Sequence, residues 1–142
     1  MKLLILAIAV AFAMPNAMAA SNAACTADET YKEVTKAELQ KWVAEKSVFT
    51  VDANGKKSFD KTHIGNAIDY KTLKSEKGSQ DAFATQLPKD KNALIVAYCG
   101  GPSCEAWKEA AEEACNLGYT NVRHFKGGIK AWTDKKWLDK KI

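Results

Sequence analysis

Arginine is all but missing from this chain: Arg123 is the single one among 21 basic residues. Arginine is the side chain that grips phosphates and base edges in bidentate fashion. The formal net charge of +4, with 17 acids mixed among the bases, therefore describes a solvated lysine-rich surface. It does not describe a nucleic-acid footprint, and no nucleic-acid partner is expected. Histidine is scarce too, at two residues, His63 and His124. The x4 and x10 spacings of Cys99, Cys104 and Cys115, with both histidines distant, match no common zinc pattern, so no metal is expected. Long apolar runs are lacking: Leu3 to Met14 falls short of the about 20 residues that span a bilayer. There is no internal repeat, linker or low-complexity tract. The 142 residues, 46% hydrophobic and 27% charged, suit one globular domain. They leave no room for two, and they suffice for a core without obligatory disulfides.

What is present begins with a leader. Lys2 precedes the apolar run, Pro15 and Asn16 break it, and Ala17-Met18-Ala19 follows. A basic n-region, an h-region and a small-x-small site predict a signal peptide over residues 1–19, cleaved after Ala19. Cleavage after Ala23 is the second choice. Asn22 sits three residues before Cys25, where a lipoprotein carries an apolar residue, which argues against lipidation. The mature protein is expected in the periplasm or secreted, with no membrane association after cleavage. Such a compartment is oxidising, and thiol chemistry and disulfides both occur there. Residues 20–34 are expected to form a loose tail, and residues 35–142 the folded domain.

Thr35-x-x-Glu38 is a capping box that opens a helix with the apolar stripe Leu39, Trp42 and Val43. Val48 to Val51 reads as a strand ending at Asp52. Asn54-Gly55 breaks the chain, residues 59–66 look irregular, and Ala67-Ile68 reads as a short strand. Ser79 caps a helix through Leu87, stopped by Pro88. Leu94 to Tyr98 is nearly all apolar, as expected for a strand buried on both faces. A loop from Cys99 to Ser103 leads into a helix from about Cys104 to Asn116, with Trp107, Ala110, Ala111, Ala114 and Cys115 on its stripe. Gly118 supplies the stop. Asn121 to Phe125 is the next strand, and Lys126-Gly127-Gly128 turns into a short helix carrying Ile129 and Trp132. Strands alternating with helices imply a parallel α/β sheet.

In such a sheet, ligands bind beyond the carboxyl ends of the strands. Cys99 sits at one of these ends, directly before Gly100-Gly101-Pro102-Ser103 and a helix start. The glycines let backbone N–H groups point inward as an anion nest, and the helix N-terminus adds partial positive charge. Both favour thiolate over thiol. A partly exposed cysteine cradled in this way is a nucleophile site. Cys104, at the far end of the loop, comes close to Cys99 if the loop curls. It is then a candidate resolving thiol for a persulfide or sulfenic acid. Four mature cysteines allow three complete pairings. The helical distance from Cys104 to Cys115, roughly 16 Å at 1.5 Å per residue, removes one. Cys115 belongs to the apolar stripe and reads as core. Cys25 remains open: it pairs with Cys115 only if the tail folds back, and a free or partner-linked Cys25 fits equally well. Asp52 and His63 are assigned supporting roles, holding loop backbone. His124 and Lys126 read as surface residues near a strand end, and Trp42, Trp107 and Trp132 as packing.

Tyr98-Cys99-Gly100-Gly101-Pro102-Ser103-Cys104, the helix, Gly118-Tyr119-Thr120-Asn121-Val122 and Gly127-Gly128-Ile129-Lys130-Ala131-Trp132 together resemble a rhodanese domain. Val51-Asp52 and His63-Ile64-Gly65-Asn66-Ala67-Ile68 resemble that family's Asp-x-Arg and His-Ile-Pro-Gly-Ala segments. The resemblance spans roughly Thr35 to Trp137. It implies a single rhodanese-like α/β domain with a central parallel sheet flanked by helices on both faces, and a sulfurtransferase activity. Cys99 would take sulfane sulfur as a persulfide, held by the amides of the loop from Gly100 through Pro102 and Ser103 to Cys104. The sulfur would pass to a thiophilic acceptor such as a thiol, with no cofactor. Three departures stand out. Asn54 replaces an arginine, Gly65-Asn66 replaces Pro-Gly, and the loop carries no Lys or Arg. The last makes a polysulfide or persulfide a better expected donor than thiosulfate. A protein partner is compatible with this reading. Two further readings are a thiol–disulfide redox protein using Cys99 and Cys104, and a non-catalytic sulfur-carrier or binding module. A phosphatase or arsenate reductase needs a longer loop ending in Arg, whereas Glu105 follows Cys104 here.

Overall fold

In a computed structural model the described residues are 31–75 and 79–137. The expected signal peptide, its cleavage sites and Cys25 lie outside them. The order is α1 (Lys36–Ala44), β1 (Phe49–Asp52), α2 (Lys56–Lys61), β2 (Ile68–Asp69), α3 (Tyr70–Ser75), α4 (Ser79–Gln86), β3 (Ile95–Tyr98), α5 (Trp107–Asn116), β4 (Val122–His124) and α6 (Gly128–Thr133). The four strands form one parallel sheet in the order β2-β1-β3-β4. The expected parallel α/β architecture is thus the observed one.

Local chemistry explains the first helix. Thr35 Oγ1 accepts the Glu38 amide at 3.2 Å, and Glu38 Oε2 accepts the Thr35 amide at 2.8 Å. That reciprocal pair satisfies two donors a helix start otherwise leaves unbonded. The Thr35 amide, and then the Thr35 hydroxyl at 2.8 Å, donate to Glu38 Oε2 and hold its carboxyl below the ordinary value.

Packing places the sheet between two helical layers. Ile95 and Ala97 of β3 face one way, with Val51, and meet Tyr70 of α3, Phe83 of α4 and Ala110, Ala111 and Ala114 of α5. Val96 and Tyr98 face the other way and meet Leu39 of α1, Ile64, Phe125 and Ala131 of α6. All four β3 side chains are completely buried. For side chains of Val or Ile size, burial contributes about 1.5–3 kcal/mol each. The alanines of α5 bring that helix close to the sheet.

Three local expectations are corrected, and one helix, α3, is added. Residues 59–66 are not irregular throughout, because α2 occupies Lys56–Lys61; it buries no side chain and so leaves no apolar stripe to read. Residues 70–75 form α3, which follows β2 with no gap. Helix α5 begins at Trp107 and not near Cys104, because the Cys104 amide turns back to the Gly101 carbonyl at 3.0 Å. The end of the expected tail is not loose. Glu33 bridges His124 in parallel, the Val34 amide donates to the His124 carbonyl at 2.9 Å, and Val34 is buried.

Candidate active site

Cys99 follows β3 at the carboxyl edge of the sheet, where a parallel strand hands its chain to a loop. The loop is fastened by backbone. The amide of Ile129 donates to the Cys99 carbonyl at 2.9 Å, and that of Lys130 donates to the Gly100 carbonyl at 3.1 Å. Helix α6 thus spends two of its free N-terminal amides on the loop carbonyls. Gly128 allows this approach. Its φ is +57°, and a Cβ there would fall 2.7 Å from the Gly101 nitrogen and 2.8 Å from the Gly100 carbonyl carbon. Neither backbone atom can yield without moving the loop.

The loop's own amides divide into two groups. Cys104 spends its amide on Gly101, and Pro102 has none. Among the described residues nothing accepts from the amides of Gly100, Gly101 or Ser103. The expected cradle from Gly100 to Cys104 is therefore narrowed to three donors.

The chain brings Cys99 and Cys104 together. They form a disulfide across a Cα–Cα distance of 6.2 Å. Cys99 is 2% exposed, whereas Cys104 is half-buried. The expectation of a partly exposed Cys99 is therefore corrected: the loop and its partner cysteine cover it. Cys115 lies in the core as expected, and it too is disulfide-bonded.

Asp52 ends β1 beside this loop and is fully buried. Its Oδ1 accepts the Asn54 amide at 2.7 Å and the Asn54 side-chain amide at 2.8 Å, while its Oδ2 has no hydrogen-bond partner. Asn54 Oδ1 in turn reaches Gly100, where a Cβ would sit 3.4 Å away. Asp52 thus shapes the turn after β1. Together with burial, its charge pushes the Tyr98 phenol far up. Tyr98 Oη accepts the Ile64 amide at 2.9 Å, tying β3 to the segment before β2. His63 is exposed: its Nδ1 lies 3.0 Å from the Phe59 carbonyl, and its ring stacks on Phe59 at 4.3 Å. Both partners belong to α2 and not to the Cys99 loop.

His124 is not a surface residue. It is 7% exposed and stacks on Trp107 at 3.5 Å between ring centroids. Burial first, then the positive charge of Lys126, lowers its pKa to about 4, so the imidazole is neutral near pH 7. Trp107 meets Tyr31 edge-on from another side. No local pattern announces this stack, because its members come from α5, β4 and the segment before α1.

Residues 127–130, by sequence a turn into a short helix, belong to the site through the Ile129 and Lys130 amides. Their signal was the Gly-Gly pair ahead of a short apolar helix. Lys130 adds a further point: its aliphatic stem packs against Gly101, where a Cβ would sit 3.7 Å from Lys130 Cβ. The loop carries no cation of its own, but an exposed one lies beside it. A groove of about 660 Å³ lies elsewhere, between Val43, Phe49, Asn66, Ile68, Thr72 and Gln86, and includes no loop residue.

The arrangement is a buried cysteine at the carboxyl edge of the sheet, bonded to a second cysteine and followed by three N–H groups that find no acceptor among the described residues. A family model described as a rhodanese-like domain matches residues 35–135. The thiosulfate sulfurtransferase GlpE of Shewanella oneidensis is 29% identical over 103 residues, covering 72% of this chain and 93% of that protein. The adenylyltransferase and sulfurtransferase UBA4 of Candida albicans is 28% identical over 95 residues, 65% of this chain. This chain spans only 20% of that relative's length. The human single-domain sulfurtransferase TSTD1 has a TM-score of 0.56 at 21% identity, over 74% of this chain and 97% of that one. At that identity the likeness concerns the fold.

Proposed function

The chain belongs to the rhodanese-like domain family, and from that premise we propose that it is a sulfurtransferase working through Cys99. The Cys99 thiolate attacks the outer sulfur of a sulfane donor and keeps it as a persulfide; the donor leaves with the electron pair of the broken S–S bond. A thiophilic acceptor then removes the sulfur and regenerates the thiolate. The observation that carries this reading is the trio of amides after Cys99, those of Gly100, Gly101 and Ser103, which find no acceptor among the described residues. Such donors stabilise a sulfur anion in a site shielded from water. The names of the two curated relatives, both sulfurtransferases, point the same way.

A polysulfide or a small persulfide is the proposed donor in preference to thiosulfate, because no cation belongs to the loop itself. The proposed place of action is the periplasm or the cell exterior, from the leader over residues 1–19. Turnover by the reduced protein tests the reading, with thiosulfate and with polysulfide, and with cyanide or a thiol as acceptor. Polysulfide should be used at least about 10-fold more efficiently, and Cys99→Ser should abolish both reactions. Activity that survives Cys99→Ser would sink the proposal. A second reading, a thiol–disulfide redox protein, is favoured by the Cys99–Cys104 disulfide.

A further inference from the structure

We infer that Cys104 is a built-in resolving thiol: the protein discharges its persulfide as hydrosulfide and then relies on an external dithiol to be reset. The inference rests on the sulfurtransferase reading and names the next acceptor at that site. It would make the protein a reductase of sulfane sulfur as well as a carrier.

Three observations carry it. The loop joins Cys99 to Cys104 while its backbone anchors, Ile129 to Cys99 and Lys130 to Gly100, remain in place. Cys104 is fixed by its own turn to Gly101. Cys99 is 2% exposed while Cys104 is half-buried, so Cys104 is the more exposed residue of the pair.

The chemistry balances as follows. Cys99 holds the outer sulfur as Cys99–S–S⁻. The Cys104 thiolate attacks the Cys99 Sγ, the Cys99–Cys104 bond forms, and the bond from Sγ to the outer sulfur breaks. The outer sulfur leaves with that electron pair and takes up a proton as hydrosulfide. The two cysteines are oxidised by two electrons and the sulfane sulfur is reduced by two. An external dithiol then attacks the Sγ of the more exposed Cys104. Cys99 departs as a thiolate into the loop amides, and the dithiol closes to its own disulfide. The net reaction converts one sulfane sulfur and one dithiol into one hydrogen sulfide and one disulfide. While the loop disulfide persists, Cys99 accepts no sulfur, so the supply of reductant also gates the transferase.

The test is a single turnover. Protein reduced and freed of reductant receives one equivalent of glutathione persulfide under argon. Sulfide is trapped, and mass is compared with the same sample before addition, with the loop peptide mapped. The wild type should release about one equivalent of sulfide and end about 2 Da lighter at the loop. Cys104→Ser and Cys104→Ala should end about 32 Da heavier and release sulfide at least about 10-fold more slowly. A wild type that keeps the added sulfur as stably as the Cys104 variants would overturn the inference and leave the transferase intact. If neither the wild type nor the Cys104 variants take up sulfur, the transferase reading fails and this inference falls with it. The wild-type mass alone decides the matter if both substitutions impair folding.

Discussion

The turns after β1 and β3 lie side by side at the carboxyl edge of the sheet and are held in different ways. The turn after β1 is held by a side chain: the buried Asp52 carboxylate accepts both nitrogens of Asn54. The loop after β3 is held by backbone, through α6 amides that take the carbonyls of Cys99 and Gly100. Fastening by carbonyls leaves the loop's own N–H groups unspent. A side-chain anchor needs only one residue type, whereas a backbone anchor needs space, which Gly128 provides. The difference teaches where each half of the site is vulnerable.

Gly128→Ala should break the β3 side most severely. The added methyl must share space with Gly101 and Gly100 backbone at a φ that disfavours alanine. The expected loss is about 3 kcal/mol or more in denaturant unfolding, together with loss of sulfur uptake. A variant with unchanged stability and uptake would show that the clamp is dispensable.

Helix α5, which follows that loop, begins at Trp107, whose ring stacks on His124, and pH probes this stack. The folded pKa of His124, about 4, lies below its ordinary 6.5. The unfolded chain therefore binds more protons between these values, and stability falls as pH drops through that window. The loss should reach about 3 kcal/mol by pH 4. His124→Phe keeps a ring against Trp107 and should flatten this part of the profile. An equally steep profile in the variant would assign the acid loss to other groups.

Asp52→Ala should do less. It removes two hydrogen bonds but also a buried oxygen without a partner, for a net cost of about 1–2 kcal/mol. Sulfur uptake at Cys99 should stay within about 3-fold of wild type, because α6 still holds the neighbouring loop. A larger functional loss would mean that the two turns are not held independently.

Much of this was legible in the residues. Leu94 to Tyr98 read as a doubly buried strand because the run is nearly all apolar, and the faces of Ile95–Tyr98 do meet helices on both sides. The stripe of α5 and the Gly-Gly turn read equally well, and together they placed Cys99 at the carboxyl edge. What escaped the reading depends on backbone or on distant neighbours. Helix α2 buries nothing and carries a local Lys56–Asp60 pair. The bridge from Glu33 to His124 runs through main-chain atoms and leaves no side-chain pattern. The burial of His124 comes from Trp107, far away in sequence. The Cys99–Cys104 bond depended on how the loop curls, which spacing alone leaves open.

Sulfur uptake by Cys104→Ser, reduced and read by intact mass after one equivalent of polysulfide, tests the central claim most directly. The account predicts a gain of about 32 Da, absent in the Cys99→Ser, Cys104→Ser double variant. No gain in the single variant, or the same gain in both, would contradict it.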